Sequence, residues 1–461
     1  MKRLMPNKRI VSFGLTGILL ASIFTGCGEG NAPAASDDGA AAQPSAQASA
    51  QATDAAAPAT AGETTIRIAW WGNQLRNDTT VAMLDAYTAE KPNVTFEAEF
   101  TDWSGYWDKL ATQAASNNLP DIIQQDYSYI TQYYTRNQLA NLSTLVDEGK
   151  IDVSNISDTI LTMGSFDNEL YALCAGVNAV GMFYNTKFAS DAGVEVPIRA
   201  TYSELQGICA DIYAKTGIIS MSAGGNGTLS MMSRDVGEMM YDDANKKIGS
   251  SEATVKYYFD QVKKNIESEW HASVDVLQEA STSGVEDKPM SKGTAFNEFP
   301  GGSNMLAAHQ APIEDELGIM MFPKREDATH ESMYLRPAMY WSISESSTNK
   351  DAAADVLNFY TNSEKAQDLL KAERGVPVSS KMAEYLKPKL DPVQQKVFNY
   401  IAEVTKIAVP CDPPQPAGAN EVNKLLDDLS DMVRYGELTP EEATARFITE
   451  ANAILAKASA A

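Results

Sequence analysis

Residues 64–78 read Thr64-Thr65-Ile66-Arg67-Ile68-Ala69-Trp70-Trp71-Gly72-Asn73-Gln74-Leu75-Arg76-Asn77-Asp78. Ile66, Ile68 and Trp70 alternate with polar or small neighbours, the period-2 pattern of a half-buried strand. The strand runs into two adjacent indoles, a glycine and several polar donors, after which a helix is expected with Asp78 or Thr79 as its N-cap. Ligands of open α/β sheets bind outside the carboxyl ends of the strands, so Trp70, Trp71, Asn73 and Arg76 stand where a site would form. Successive residues of a strand face opposite ways, so at most one of the two indoles easily shares the strand's buried face. The other is expected on a ligand surface; the plain alternative is that both are core.

Working outward, the next hundred residues alternate helix and strand. Met83, Leu84 and Tyr87 form a helical stripe stopped by Pro92, and Val94, Phe96, Ala98 and Phe100 alternate as a strand. A helix is expected over Trp103 to Ala115, with Tyr106, Leu110 and Ala114 at spacing four. A short apolar strand, Ile122-Ile123, ends at Gln124-Gln125-Asp126, and a further helix covers Tyr127 to Arg136. This βαβαβ run predicts an α/β fold with a mainly parallel sheet. It puts Asp126 and Tyr127 at a strand's carboxyl end, as Trp71 is. Asp126 has two readings there: an acceptor for ligand hydroxyls, or the N-cap of the following helix.

The N-terminus reads as a targeting segment. Lys2, Arg3, Lys8 and Arg9 precede an apolar run from Ile10 to Phe24 that is too short for a stable span. It ends in Phe24-Thr25-Gly26-Cys27, which resembles the lipobox of bacterial lipoproteins. That resemblance implies a signal peptide over 1–26, lipid on Cys27 and a protein tethered to the outer face of the cell membrane. Residues 27–62 are Ala, Ser, Gln, Pro, Thr, Gly and Asp almost throughout, a disordered tether unable to bury enough apolar surface to offset its chain entropy. The roughly 400 residues that follow suit two lobes better than one core.

Net charge is −24, and loss of the leader takes it to −28. Such an acidic excess argues against a nucleic-acid partner and against a basic membrane-binding patch. Cys174, Cys209 and Cys411 remain after Cys27, at spacings that match no zinc or redox pattern, and are expected as small core residues.

Ser165 to Leu173 reads as a hairpin turning at Asp167-Asn168, followed by an apolar strand from Val177 to Tyr184. Pro120-Asp121-Ile122-Ile123, the hairpin region between Gly149 and Gly176, and Phe183-Tyr184-Asn185-Thr186-Lys187 together resemble the extracellular solute-binding proteins of family 1, the carbohydrate receptors of ABC importers. Lys292-Gly293-Thr294-Ala295-Phe296, Thr361 to Gln367 and Arg374-Gly375-Val376-Pro377-Val378 resemble later motifs of that family, so the likeness spans the chain after Gly62. It implies a two-lobe periplasmic-binding-protein-like fold of type II with three hinge crossings, near 176–180, 336–342 and 374–378. The N-terminal lobe would take 63–175 plus 343–373, and the C-terminal lobe 181–335 plus 377–461. Gly224 to Gly227 lacks the Lys-Ser/Thr of a phosphate loop and reads as a turn; Met221, Met231, Met232, Met239 and Met240 read as core. Glu298 and Phe299, before Gly301-Gly302, and the crossing pair Tyr340-Trp341 join the expected ligand residues because the family faces its cleft there.

Sugar rings present apolar C–H faces that lie on aromatic rings and rim hydroxyls that need donors and acceptors. Trp70 or Trp71, Trp103, Tyr127 and Trp341, with Asn73, Arg76 and Asp126 at the edge, supply both. Together with what the resemblance implies, the expected function is a monomeric binding protein that captures an oligosaccharide and delivers it to ABC permease subunits, with no cofactor, metal or catalytic residue. The alternatives are a secreted glycan-degrading enzyme, for which Asp102 and Asp126 are possible carboxylates, and a receptor for polyamines or peptides. His271, His309 and His330 are the only histidines, and they form no HExxH or Ser-His motif.

Overall fold

Strand β1 (Thr64–Trp71) begins as its alternation requires, with Ile66 and Ile68 buried and Thr65 exposed. The computed structural model describes residues 62–459 apart from 245, 300, 301 and 414; the expected leader, Cys27 and the tether up to residue 61 lie outside the described residues. The elements named below belong to one unit, residues 59–461.

The helix after β1 spans Gln74–Glu90 and starts earlier than expected from Asp78. Asn73, directly after the strand, is the N-cap: its side-chain oxygen accepts from the Arg76 amide at 2.9 Å, leaving that first turn helical. Strand β2 (Val94–Thr101) pairs in parallel with β1. The helix Trp103–Ala115 has the expected bounds, and Asp102 caps it through the Gly105 amide at 2.9 Å. Strand β3 (Ile122–Gln125) also runs parallel to β1, so the βαβαβ reading holds, but the sheet is mixed rather than mainly parallel, because β12 runs antiparallel. The helix expected over 127–136 contracts to Ile130–Thr135. Its start is displaced because the Asp126 side chain takes the Ser128 amide while its carbonyl takes those of Tyr129 and Ile130.

The hairpin of β4 (Ser165–Phe166) and β5 (Glu169–Leu170) turns where expected, with Asp167 and Asn168 both left-handed at φ 50° and 66°. The single strand expected over 177–184 is instead two, β6 (Leu173–Ala179) and β7 (Met182–Asn185), which belong to different sheets. The expected turn at 224–227 contains the first residues of the helix Gly225–Arg234, with Gly225 at φ +72°. Two short strands, β8 (Tyr241–Asp242) and β9 (Lys247–Ile248), pair with each other. Then come β10 (Asn297–Glu298), β11 (Leu317–Met320) and β12 (Leu335–Ile343).

The larger sheet has the order β2-β1-β3-β12-β6, with β12 antiparallel to both neighbours; the smaller is β10-β7-β11, all antiparallel. Both faces of the larger sheet are covered, which is why the end of β1 is continuously buried rather than alternating. The smaller sheet packs Met182, Phe296 and Met320 into one cluster and Phe183, Leu306 and Leu317 into another. Of the five singled-out methionines, Met221, Met231, Met232 and Met240 are buried and Met239 is exposed. Cys174 and Cys209 are buried, Cys411 is half-buried, and all three are free thiols.

The three segments expected as crossings lie side by side. β6 pairs along β12, and Val177 and Val376 exchange main-chain hydrogen bonds of 3.0 and 3.2 Å. Among the described residues no helix is long and apolar enough to cross a membrane.

Candidate functional site

The registers of the larger sheet sort its central side chains onto two faces. Tyr340 lies opposite Gln125 on one side and Cys174 on the other, and Arg336 lies opposite Asn178. Continuing the β1–β3 register by two residues adds Trp71 to that face. Trp70, Gln124 and Trp341 take the other face.

On the first face, Trp71 opens an aromatic cluster built by the helix Trp103–Ala115 and the turn after β3. Its ring centroid is 5.0 Å from Trp103, 5.3 Å from Tyr106 and 5.4 Å from Trp107. Trp107 stacks on Tyr129 at 4.0 Å with 10° between the planes. Tyr106 fixes the cluster to the sheet by donating to the Gln124 carbonyl at 2.7 Å. Trp71 and Trp107 are buried, but Trp103 is 42% exposed, so a buried stack holds one indole at the surface. On this face Gln125 is wholly buried, and among the described residues neither its amide atoms nor the Trp107 indole N–H has a hydrogen-bond partner.

Next to the cluster is a cavity of about 230 Å3, walled by Tyr127, Ile130, Met163, Phe166, Pro410 and Cys411 among others. The Tyr127 hydroxyl donates to the main-chain carbonyl of Asp412 and accepts from the Cys411 thiol at 3.7 Å. Burial raises the Tyr127 pKa, so the phenol stays a donor. Asp412 is held in turn by Arg234 and by Ser230 at 2.9 Å.

The expected ligand residues therefore separate. Trp71, Trp103, Asp126 and Tyr127 come together at this end of the sheet. Trp70 is in the core, stacked on Phe100 and donating its indole N–H to Asn77 at 2.9 Å. Asn73 spends its side-chain oxygen on the helix cap, and Arg76 is paired with Glu373 at 2.9 Å. Tyr340 and Trp341 are buried: the first donates to the Met163 carbonyl at 2.9 Å, and the second lies beneath Arg374. Glu298 and Phe299 are at the smaller sheet's edge. Burial raises the Glu298 pKa, with the Lys288 charge opposing, and Phe299 packs edge-on to Phe322 at 5.4 Å. The sequence reading missed Trp107, Tyr129 and Gln125. Trp107 is four residues after Trp103, on the same helix face, which was a usable signal. Among the described residues no cluster could hold a metal ion.

Residues 82–397 match the family of bacterial extracellular solute-binding proteins. A family 1 extracellular solute-binding protein from Alicyclobacillus acidocaldarius superposes with a TM-score of 0.80 at 26% identity, over 86% of this chain and 99% of that one. A periplasmic oligogalacturonide-binding protein from Yersinia enterocolitica gives 0.71 at 20%, over 86% and 100%. An ABC substrate-binding protein from Listeria monocytogenes in complex with cycloalternan gives 0.63 at 17%, over 86% and 99%.

Proposed function

The chain belongs to the bacterial extracellular solute-binding proteins, and on that premise we propose that it captures an oligosaccharide and delivers it to an ABC importer while tethered to the membrane through lipid on Cys27. The family is one of binding proteins rather than enzymes. The observation that carries the oligosaccharide reading is Trp103, an exposed indole held edge-on by Trp71 and Trp107 at 5.0 and 5.5 Å. A platform fixed by a buried stack loses little side-chain entropy when a pyranose face settles on it. Tyr127, Asp126 and the neighbouring cavity extend the surface beyond one ring. Ligands named for the Yersinia and Listeria proteins, oligogalacturonide and cycloalternan, are both glycans.

The mechanism we infer is closure of two lobes, 63–175 plus 343–373 and 181–335 plus 377–461, about the adjacent segments 176–180, 336–342 and 374–378. Contacts made only in the closed form bias that equilibrium toward it. The closed, monomeric form is then the one read by the permease.

Thermal unfolding of the purified chain against oligosaccharides, polyamines and peptides tests this. A ligand at 100 times its dissociation constant adds about 2.7 kcal/mol. A raised midpoint with a glycan series that stays intact on incubation is the expected result. Shifts with polyamines or peptides alone, or breakdown of the glycan, would replace the reading.

A further inference from the structure

Resting on that oligosaccharide reading, we propose that Arg336 and Asn178, paired across β12 and β6 beside the cavity, receive the carboxylate of a hexuronate unit, so that the substrate class is an acidic oligosaccharide.

Arg336 and Asn178 are register partners, and directly opposed strand residues hold their Cβ atoms about 4.5–5.5 Å apart. Arg336 is exposed and Asn178 half-buried, and neither side chain makes a hydrogen bond or ion pair among the described residues. Among the ten described arginines, only Arg136 is likewise without a hydrogen bond or ion pair. Arg67, Arg76, Arg199, Arg234 and Arg325 all engage carboxylates. Asp412, the carboxylate of the cavity wall, is committed to Arg234 and Ser230 and does not reach Arg336. One oxygen of Asp126 accepts from the Ser128 amide, and Asp126 makes no ion pair with Arg336.

The location suits a ligand. Arg336 shares its sheet face with Tyr340 and Cys174, and its charge is felt by the Tyr127 phenol on the cavity wall and by Tyr334. Tyr334 bridges to Val409, next to Pro410 of the same wall. A cavity of about 230 Å3 is below the roughly 300–1,000 Å3 of drug-sized sites, room for one sugar unit. A guanidinium fork matches a carboxylate with two parallel N–H···O bonds, and the Asn178 amide adds a third donor. A neutral hydroxymethyl in the same place would leave the cation uncompensated.

The test is calorimetric titration of the full-length chain with two acidic probes, trigalacturonate and a glucuronate-bearing xylo-oligosaccharide. Their neutral counterparts are methyl-esterified trigalacturonate and the unsubstituted xylo-oligosaccharide. Expected is a preference of about ten- to hundredfold for at least one acidic probe, weakening between 50 and 500 mM salt as a partly exposed ion pair does. Arg336→Gln should abolish the preference, whereas Arg336→Lys should keep part of it. Equal or better binding of the neutral probes, or a preference that survives Arg336→Gln, overturns the acidic assignment and leaves oligosaccharide capture standing. If no acidic or neutral oligosaccharide binds, capture itself fails with it.

Discussion

The Arg374 guanidinium lies over the indole of Trp341, its central carbon 5.2 Å from the ring centroid, while its Nε donates to Gln124 Oε1 at 2.9 Å. Glu373 is the nearest carboxylate, 3.6 Å from one terminal nitrogen, and it is shared with Arg76. Burial pushes the Arg374 pKa down to about 10, the mark of a cation stripped of water. Arg374→Ala would leave Gln124 Oε1 without its donor and a void against Trp341, at a cost of about 3 kcal/mol. Arg374→Met fills the void and removes the buried charge, so its loss should be markedly smaller. Urea unfolding of the two variants checks the order.

Stability should fall as the medium is acidified from pH 7 toward 4, through two histidines. His271 donates its Nδ1–H to the Ala272 carbonyl at 2.7 Å, which leaves Nε2 to accept from the Ser222 hydroxyl, also at 2.7 Å. Burial lowers its pKa to about 4, and burial with the Lys288 charge lowers that of His309 to about 4. Both folded values lie below the ordinary 6.5, so the unfolded chain takes up protons first. The stabilisation is complete above pH 6.5 and is lost as pH drops through 6.5 toward 4, by up to about 3 kcal/mol for each group. Thermal unfolding across that window should show the slope, and His271→Gln should cut it by about half.

Two of the expected ligand indoles, Trp70 and Trp103, separate stability from binding. Trp70 is wholly enclosed and Trp103 is not. Trp70→Ala should cost about 3–5 kcal/mol, whereas Trp103→Ala should shift the unfolding midpoint little and weaken glycan binding about tenfold or more. Paired denaturation and titration of both variants would show whether the ligand surface is at Trp103. A Trp103 variant that keeps full affinity would move it elsewhere.

What the sequence made legible is what period and capping chemistry carry. The alternation in β1 and the spacing of Tyr106, Leu110 and Ala114 were enough for the parallel βαβ core. Which of Trp70 and Trp71 joins the aromatic cluster was not readable, because both sheet faces are covered and burial at the end of β1 carries no alternation. The break between Ala179 and Met182 was hidden for a similar reason: a largely apolar run fits one buried strand or two in different sheets equally well. Its marker was Gly181, where a Cβ would meet the Tyr400 hydroxyl at 2.9 Å and the Met320 carbonyl at 3.0 Å. Asn73, Asp78 and Thr79 are all good caps, and only the strand's end decided among them. Arg336 and Asn178 meet through strand register alone, which no local pattern reveals.

The contact between β6 and the segment after Arg374 should be intolerant of a single methyl group. At Gly176 an added Cβ would be 2.2 Å from the Arg374 carbonyl oxygen, a main-chain atom that cannot rotate away from it. Gly375, beside it at φ +101°, lets the second segment pass that closely. Gly176→Ala must therefore push the two segments apart, strain the Val177–Val376 hydrogen bonds and drag Arg374 from Gln124, a loss of about 3 kcal/mol or more. Gly207 is the control. It is exposed within the helix Tyr202–Thr216, and an added Cβ there meets nothing within 4 Å. Gly207→Ala should raise stability by about 0.5–1 kcal/mol, since alanine favours the helix and restricts the unfolded chain. Opposite signs for one substitution at two glycines, read by urea unfolding, follow from main-chain crowding at Gly176. A Gly176→Ala protein as stable as the parent would mean that the segments part freely.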